Sequence, residues 1–203
     1  MAISYPLTIP TTIKPKSAQW RIVTPALVTR SLFTGQQSGQ VRQGARWECV
    51  VTYPSTRLRG AVEDLLSYFI ALDGPIGTLY WYEHNYRTPR GTPTGTPLVD
   101  GASQTGEDIV TDGWGVSSSG VLLPGDWIQV GTELKRVMNS VSSNGSGQAT
   151  ITVRPRQRVA PSDNAAIVST NPVGIFRLID NTFDWDIDTA ASQGFSVALQ
   201  EAV

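Results

Sequence analysis

Ser55 to Gly74, STRLRGAVEDLLSYFIALDG, is the one stretch of this chain that reads as an amphipathic helix. Leu58, Val62, Leu65, Phe69 and Leu72 recur at offsets 0, 4, 7, 11 and 14. At about 3.6 residues per turn they form one continuous apolar stripe. Arg59, Glu63, Asp64 and Ser67 fall mostly off it. Ser55 or Thr56 is placed to cap the start behind Pro54, and Gly74-Pro75 stops the run, so the helix is expected over 56–73. Everything else reads as strand, turn or loop. The stripe must therefore cover a sheet, and the fold class is mainly β.

The flanking sequence supplies that sheet. In Arg46–Tyr53, Trp47, Cys49, Val51 and Tyr53 share one face and Arg46, Glu48, Val50 and Thr52 the other. Behind the helix, Ile76–Tyr82 is an aromatic strand. Gly174–Ile179 and Phe183–Ile187 read as strands, and Gly194–Leu199 alternates Phe195, Val197 and Leu199 with polar or small residues. Residues 1–18 carry Pro6, Pro10 and Pro15 and read as an extended arm, either an edge strand or a segment laid on a neighbouring subunit. Trp20–Phe33 is β-branched and broken by Pro25, and the FTGQQSGQVRQG segment that follows reads as a turn or loop. Arg87–Pro97, RTPRGTPTGTP, marks a linker. Beyond it, Trp127–Val130 and Leu134–Val137 form a hairpin around Gly131-Thr132-Glu133, and Gln148–Val153 is a further strand. The expected architecture is a β-sandwich flanked by one helix, built from 1–97 plus 171–203, with a small β-barrel-like domain inserted at 98–170.

Composition narrows the function. The chain has 203 residues and a net charge of −1, which argues against a nucleic-acid or membrane-surface protein. Its one cysteine, Cys49, excludes an intrachain disulfide and fits a reducing compartment. No apolar run approaches the roughly 20 residues of a membrane span. MAISYPLTIP lacks the basic and apolar segments of a signal peptide.

No enzyme constellation survives inspection. The single histidine, His84, lies in the aromatic run Tyr80–Tyr86, and no Gly-x-Ser-x-Gly elbow exists to partner it. Cys49 alternates with Trp47 and Val51 and reads as core. Asp184, Asp186 and Asp188 match the first three positions of a calcium loop, but Thr189 stands where its glycine belongs and Phe195 where its glutamate belongs. A half-buried strand with an acidic outer face explains them better. Arg154, Arg156 and Arg158 sit at period 2 and would share one face, as a solvated strand end or a contact with an acidic neighbour. Trp47, Trp81, Trp127 and Trp185 occupy strand positions, where core packing is the default. No cofactor or metal is expected, and the chain reads as a structural protein rather than an enzyme.

A series of short motifs resembles the distal tail and minor tail proteins of long-tailed, siphovirus-type bacteriophages. They are Ser31–Gln36, Gly44–Glu48, the helix Ala61–Leu72, Gly74–Thr78, Leu123–Gly131, Gly145–Val153 and Gly174–Leu178, and they span most of residues 20–180. The resemblance implies a tail-tube-like β-sandwich flanked by one helix, assembled as a homo-oligomeric ring, often a hexamer. Such a ring sits at the virion tail tip and joins the tail tube protein to the baseplate hub or tail fibre proteins. The protein would be made in the host cytoplasm, genomic DNA would pass through without specific binding, and no membrane would be contacted. Asp184, Asp186 and Asp188 would then keep the lumen repulsive to DNA, and Arg154, Arg156 and Arg158 would serve inter-subunit contacts. The alternative is a β-sandwich carbohydrate-binding module for host-surface glycans.

Overall fold

A computed structural model describes residues 3–188 and 192–202. The chain opens with β1 (Ser17–Val23), β2 (Ala26–Arg30), β3 (Gln37–Val41), β4 (Arg46–Thr52), α1 (Arg59–Ile70) and β5 (Leu79–Trp81). Six strands follow: β6 (Gly95–Val99), β7 (Gly106–Trp114), β8 (Trp127–Val130), β9 (Glu133–Val137), β10 (Ala149–Gln157) and β11 (Ile167–Val168). The chain closes with β12 (Gly174–Leu178), β13 (Trp185–Ile187) and β14 (Gln193–Glu201). The fold is mainly β, with one helix, several sheets and a nearly closed barrel-like sheet.

The first sheet runs β1-β4-β14-β12-β5, with β13 on the other end of β14. Its register aligns the alternating apolar residues. Trp20 and Leu199 both oppose Cys49, Leu178 opposes Leu199, and Val197 opposes Val51. This face needs a cover, and α1 supplies it. Val62, Leu65 and Phe69 are buried in one core with Trp47, Cys49, Val51, Phe176 and Leu199. Phe69 sits at the centre of an aromatic group, with ring centroids 6.1 Å from Tyr53, 5.5 Å from Phe183 and 5.7 Å from Phe195.

The stripe differs from expectation at both ends. Leu58 lies ahead of the first helical turn and is 66 % exposed, so it is not a packing residue. The hydroxyl of Thr56 accepts the Leu58 N–H at 3.3 Å, a local turn that delays the helix to Arg59. Leu66 and Tyr68 are buried as well, so the covered face is wider than a single stripe. At the far end Leu72 has left the helix yet remains fully buried, and the Gly77 N–H closes back on its carbonyl at 2.7 Å. A Cβ on Gly77 would stand 2.4 Å from that oxygen, so the turn requires glycine there.

The proline-rich arm folds onto its own subunit. Leu7 pairs in parallel with Leu79 on β5, Ile9 is buried, and Tyr68 Oη donates to the Leu7 carbonyl at 3.2 Å. Residues 3–16 form no strand of the sheet; Leu7 alone makes a bridge, to β5. The glycine-rich segment after Phe33, expected as a loop, contains β3, which pairs with β2 over five residues.

The second sheet has the order β11-β8-β9-β10-β7-β6, and a bridge between Leu98 and Ala166 ties its two ends. It wraps its own core, which includes Val99, Ile109, Ile128, Val130, Val137 and Ile151. It begins at Gly95, inside the segment expected as a linker. The residues before it are pinned rather than loose. The Asp126 carboxylate accepts the N–H groups of Arg90 at 2.8 Å, Gly91 at 3.1 Å and Leu123 at 2.8 Å. Trp127 and Leu134 of the β8–β9 hairpin reach out of this sheet into the first core. Trp127 lies 4.9 Å from Trp47 and 5.3 Å from Trp20, and such pairs contribute about 0.5–1.5 kcal/mol each beyond area burial.

Truncating Phe69 to alanine is expected to lower unfolding stability by about 3–5 kcal/mol, whereas Leu58→Ala should stay within about 0.5 kcal/mol. Urea denaturation of the two variants checks this. Equal losses would mean that the helix does not pack as described.

Candidate functional site: exposed assembly elements and a buried charge cluster

The most exposed part of the fold is the β2–β3 hairpin, all ten of whose strand residues are exposed. It is nevertheless rich in apolar side chains: Val28 is 64 % and Val41 65 % exposed, and at the tip Leu32 is 97 % and Phe33 99 % exposed. The tip is a built turn. Ser31 Oγ accepts the Thr34 N–H at 3.3 Å, the Ser31 N–H donates to the Gln36 carbonyl at 2.9 Å, and Gly35 adopts φ +70°. This geometry holds Leu32 and Phe33 outward. Leu32 and Phe33 thus stand side by side as a solvated apolar tip on the hairpin.

Among the described residues, two strands of the first sheet leave edges open. β1 ends the sheet order, and β13 pairs only with β14. The sheet face opposite the helix is half-exposed and mostly polar, with rows such as Gln19-Val50-Ala198 and Ser17-Thr52-Ser196. On it, Glu48 is held by Arg21 at 2.5 Å and Arg46 at 3.0 Å.

Asp184, Asp186 and Asp188 are all exposed, on or beside β13. The strand is not half-buried as expected, since Trp185 is 42 % and Ile187 61 % exposed. β13 is three residues long with one partner strand, and Trp185 meets the Phe183 ring at 5.8 Å between centroids. The Asp188 carboxylate accepts the Ser192 N–H at 2.8 Å. Arg154 and Arg156 share the outer face of β10, alternating with the buried Val153, Pro155 and Gln157, while Arg158 lies past the strand end. Arg154 pairs with Glu107 at 2.5 Å, both 44 % exposed. Arg156 offers its carbonyl to Lys135 Nζ at 3.0 Å. Arg158 turns inward.

Its destination is a cluster of four charged side chains between the two sheets. Glu133 Oε2 meets Lys135 Nζ at 2.5 Å and Arg158 Nε at 3.0 Å. Glu133 Oε1 accepts Gln157 Nε2, the Arg158 N–H and the Val159 N–H at 2.8–3.2 Å. Arg158 Nη2 lies 2.7 Å from Glu201 Oε2. That carboxylate, on β14, also accepts N–H groups from Trp47 and Leu134 at 3.3 Å each. Lys135 is fully buried and Glu133 and Glu201 nearly so. Burial alone would raise the Glu133 carboxyl, but the Lys135 ammonium, the Val159 N–H and Arg158 hold it below its ordinary pKa. Burial pulls Lys135 down and lifts Glu201, in each case against the attraction of the opposite charges. Sequence reasoning missed this cluster although a signal existed. The alternation Phe195, Val197, Leu199 continues to Glu201, which places a carboxylate on the core face.

The residues with catalytic potential are scattered. Cys49 is fully buried, and burial pushes its thiol up to about 12, so it carries no thiolate near neutrality. Burial and the neighbouring Arg87 lower His84 to about 4. His84 lies against Trp81 and Tyr82, with ring centroids at 4.8 Å and 4.5 Å. Among the described residues no group of three His, Cys, Asp or Glu side chains is arranged to hold a metal ion. Compared with protein-family models and with curated proteins, the chain matches none.

Replacing Glu133 by leucine removes an acceptor shared by five donors and leaves Lys135 without its closest anion. The expected loss is about 3–5 kcal/mol, against under about 1 kcal/mol for Arg154→Gln at the exposed pair. Chemical denaturation of both variants measures the contrast, and similar losses would remove the cluster from its structural role.

Proposed function

We propose that this chain is a structural assembly protein of a bacteriophage tail tip, a ring subunit that joins the tail tube to the baseplate hub or fibres. The observation that carries the reading is the β2–β3 hairpin, an ordered element with a fully exposed Leu32-Phe33 tip and no core of its own. A two-stranded hairpin of this kind is marginal in water and gains stability when a neighbouring subunit covers it. The open edge of β1 leads directly into the hairpin, so strand pairing and hairpin docking would act on the same neighbour. Contacts between unlike surfaces of identical subunits are heterologous and generate closed rings when the rotation closes.

Other features agree with the reading. The exposed acidic set Asp184, Asp186 and Asp188 would repel a DNA backbone passing through the bore. The dispersed chemistry of His84 and Cys49 supplies no active centre for an enzyme reading. Among the described residues no helix is long and apolar enough to cross a membrane. Of the tryptophans only Trp185 is exposed, which gives a glycan-binding reading a weak stacking platform.

The test is the assembly state of the full chain and of the Leu32→Glu/Phe33→Glu double variant, by mass photometry and negative-stain microscopy. The expected result is closed multi-subunit rings for the wild type and folded monomers for the variant, with an unchanged melting temperature because neither side chain touches the core. A wild type that stays monomeric at every concentration and binds polysaccharide would overturn the proposal.

A further inference from the structure

The N-terminal arm does more than seal the edge of β5. Where residues 8–15 pass over the strand end at Tyr80–Arg87, they enclose two adjoining clefts of about 300 Å³ and 280 Å³. The clefts share Ile9, Thr11, Tyr82 and Arg87. Together they reach the size of small-molecule sites, about 300–1,000 Å³. Ile9, Ile13 and the ring of Tyr53 give the larger one an apolar floor, and Lys14, His84 and Arg87 stand around it.

The polar chemistry of this wall is unfinished. The Arg87 guanidinium lies flat over the Tyr82 ring at 3.8 Å, and its Nε is buried without a hydrogen-bond partner. His84 Nδ1 is likewise buried and unpartnered. Neither Lys14 nor Arg87 enters an ion pair among the described residues. The nearby Glu83 carboxylate instead accepts the Asn85 N–H at 3.1 Å. Buried donors without acceptors are destabilising, and native structures leave few of them. Arg87 and Lys14 thus bring two cations to one cleft that holds no carboxylate paired to either among the described residues. The complement of this wall is an anion with two acceptor oxygens on an apolar body.

We infer that the cleft under the N-terminal arm binds a small organic carboxylate, whose oxygens meet Arg87 and Lys14 and whose apolar part lies on Ile9, Ile13 and Tyr53. A carboxylate suits a guanidinium fork through charge-assisted hydrogen bonds. His84 stands beside Arg87 and Lys14 in the cleft, and burial and Arg87 keep its imidazole neutral near pH 7. This site is separate from the assembly surfaces and does not depend on the ring reading.

The probe is benzoate, with benzamide as the uncharged isostere, titrated into the full chain and followed by thermal shift and calorimetry. Benzoate is expected to raise the melting temperature in a concentration-dependent way, and benzamide to leave it unchanged. Arg87→Gln should weaken benzoate binding by about tenfold or more, the effect of removing a hydrogen bond to a charged group. Should Arg87→Gln fail to fold, Lys14→Glu, at an exposed position, reverses the charge at the mouth and is expected to abolish binding. No stabilisation by benzoate, an equal effect of benzamide, or unchanged binding in the folded variant would overturn the site.

Discussion

Glu201 sets how the two sheets of this protein sit against each other. Its carboxylate stands on β14 in the first sheet, yet it accepts the N–H of Leu134 on β9 in the second and of Trp47 on β4 in the first. It also faces Arg158, which bonds Glu133, which in turn holds the buried Lys135. Two carboxylates and two cations sum to zero, so the cluster leaves no net charge in a largely buried seam. Such clusters seldom add net stability over a well-packed apolar core, and their partners are strongly destabilised when one member is removed. Their value here is geometric. Rotating one sheet on the other would break the Leu134–Glu201 hydrogen bond and the Arg158–Glu201 ion pair together. The Trp47 indole, donating to the Leu134 carbonyl at 3.0 Å, and the Ile175 N–H, donating to the Thr132 carbonyl at 3.1 Å, add neutral stitches to the same seam.

With that seam fixed, the remaining apolar surface divides cleanly. The helix and the arm cover one face of the first sheet, and the barrel-like sheet covers its own interior. The apolar side chains left over gather on the β2–β3 hairpin and on scattered exposed positions such as Leu58, Ile70 and Ile76. A chain that can bury Trp81 and Phe69 completely, yet keeps Leu32 and Phe33 in solvent, has not run short of core. Under the proposed ring assembly, the apolar hairpin is the surface that a neighbouring subunit would cover.

Much of this was legible in the sequence. The 3.6-residue stripe located the helix, the period-2 alternation of Trp47, Cys49 and Val51 set the core face of β4, and the turn at Gly131 located the β8–β9 hairpin. Four things were not legible, each for a physical reason. Leu58 fits the stripe but not the helix, because a side chain–backbone bond from Thr56 decides where the first turn starts. β3 has the glycine and glutamine content of a loop, and only its pairing with the β-branched β2 makes it a strand. The buried charges were hidden because Glu133, Lys135 and Arg158 carry ordinary surface residue types; only Glu201 betrays itself by falling in an inward register. The cleft beside His84 depends on where the arm lands, a tertiary fact that no local pattern encodes.

The central claim is that the hairpin is an inter-subunit element rather than a solvent-exposed decoration. Amide hydrogen exchange across residues 26–41, compared between dilute and concentrated protein, tests it most directly. In dilute protein the hairpin should exchange fast, since nothing packs on it. On concentration its amides should slow together, while the β10 amides, already inside the second sheet, stay unchanged. Assembly without any slowing of residues 26–41 would contradict the account.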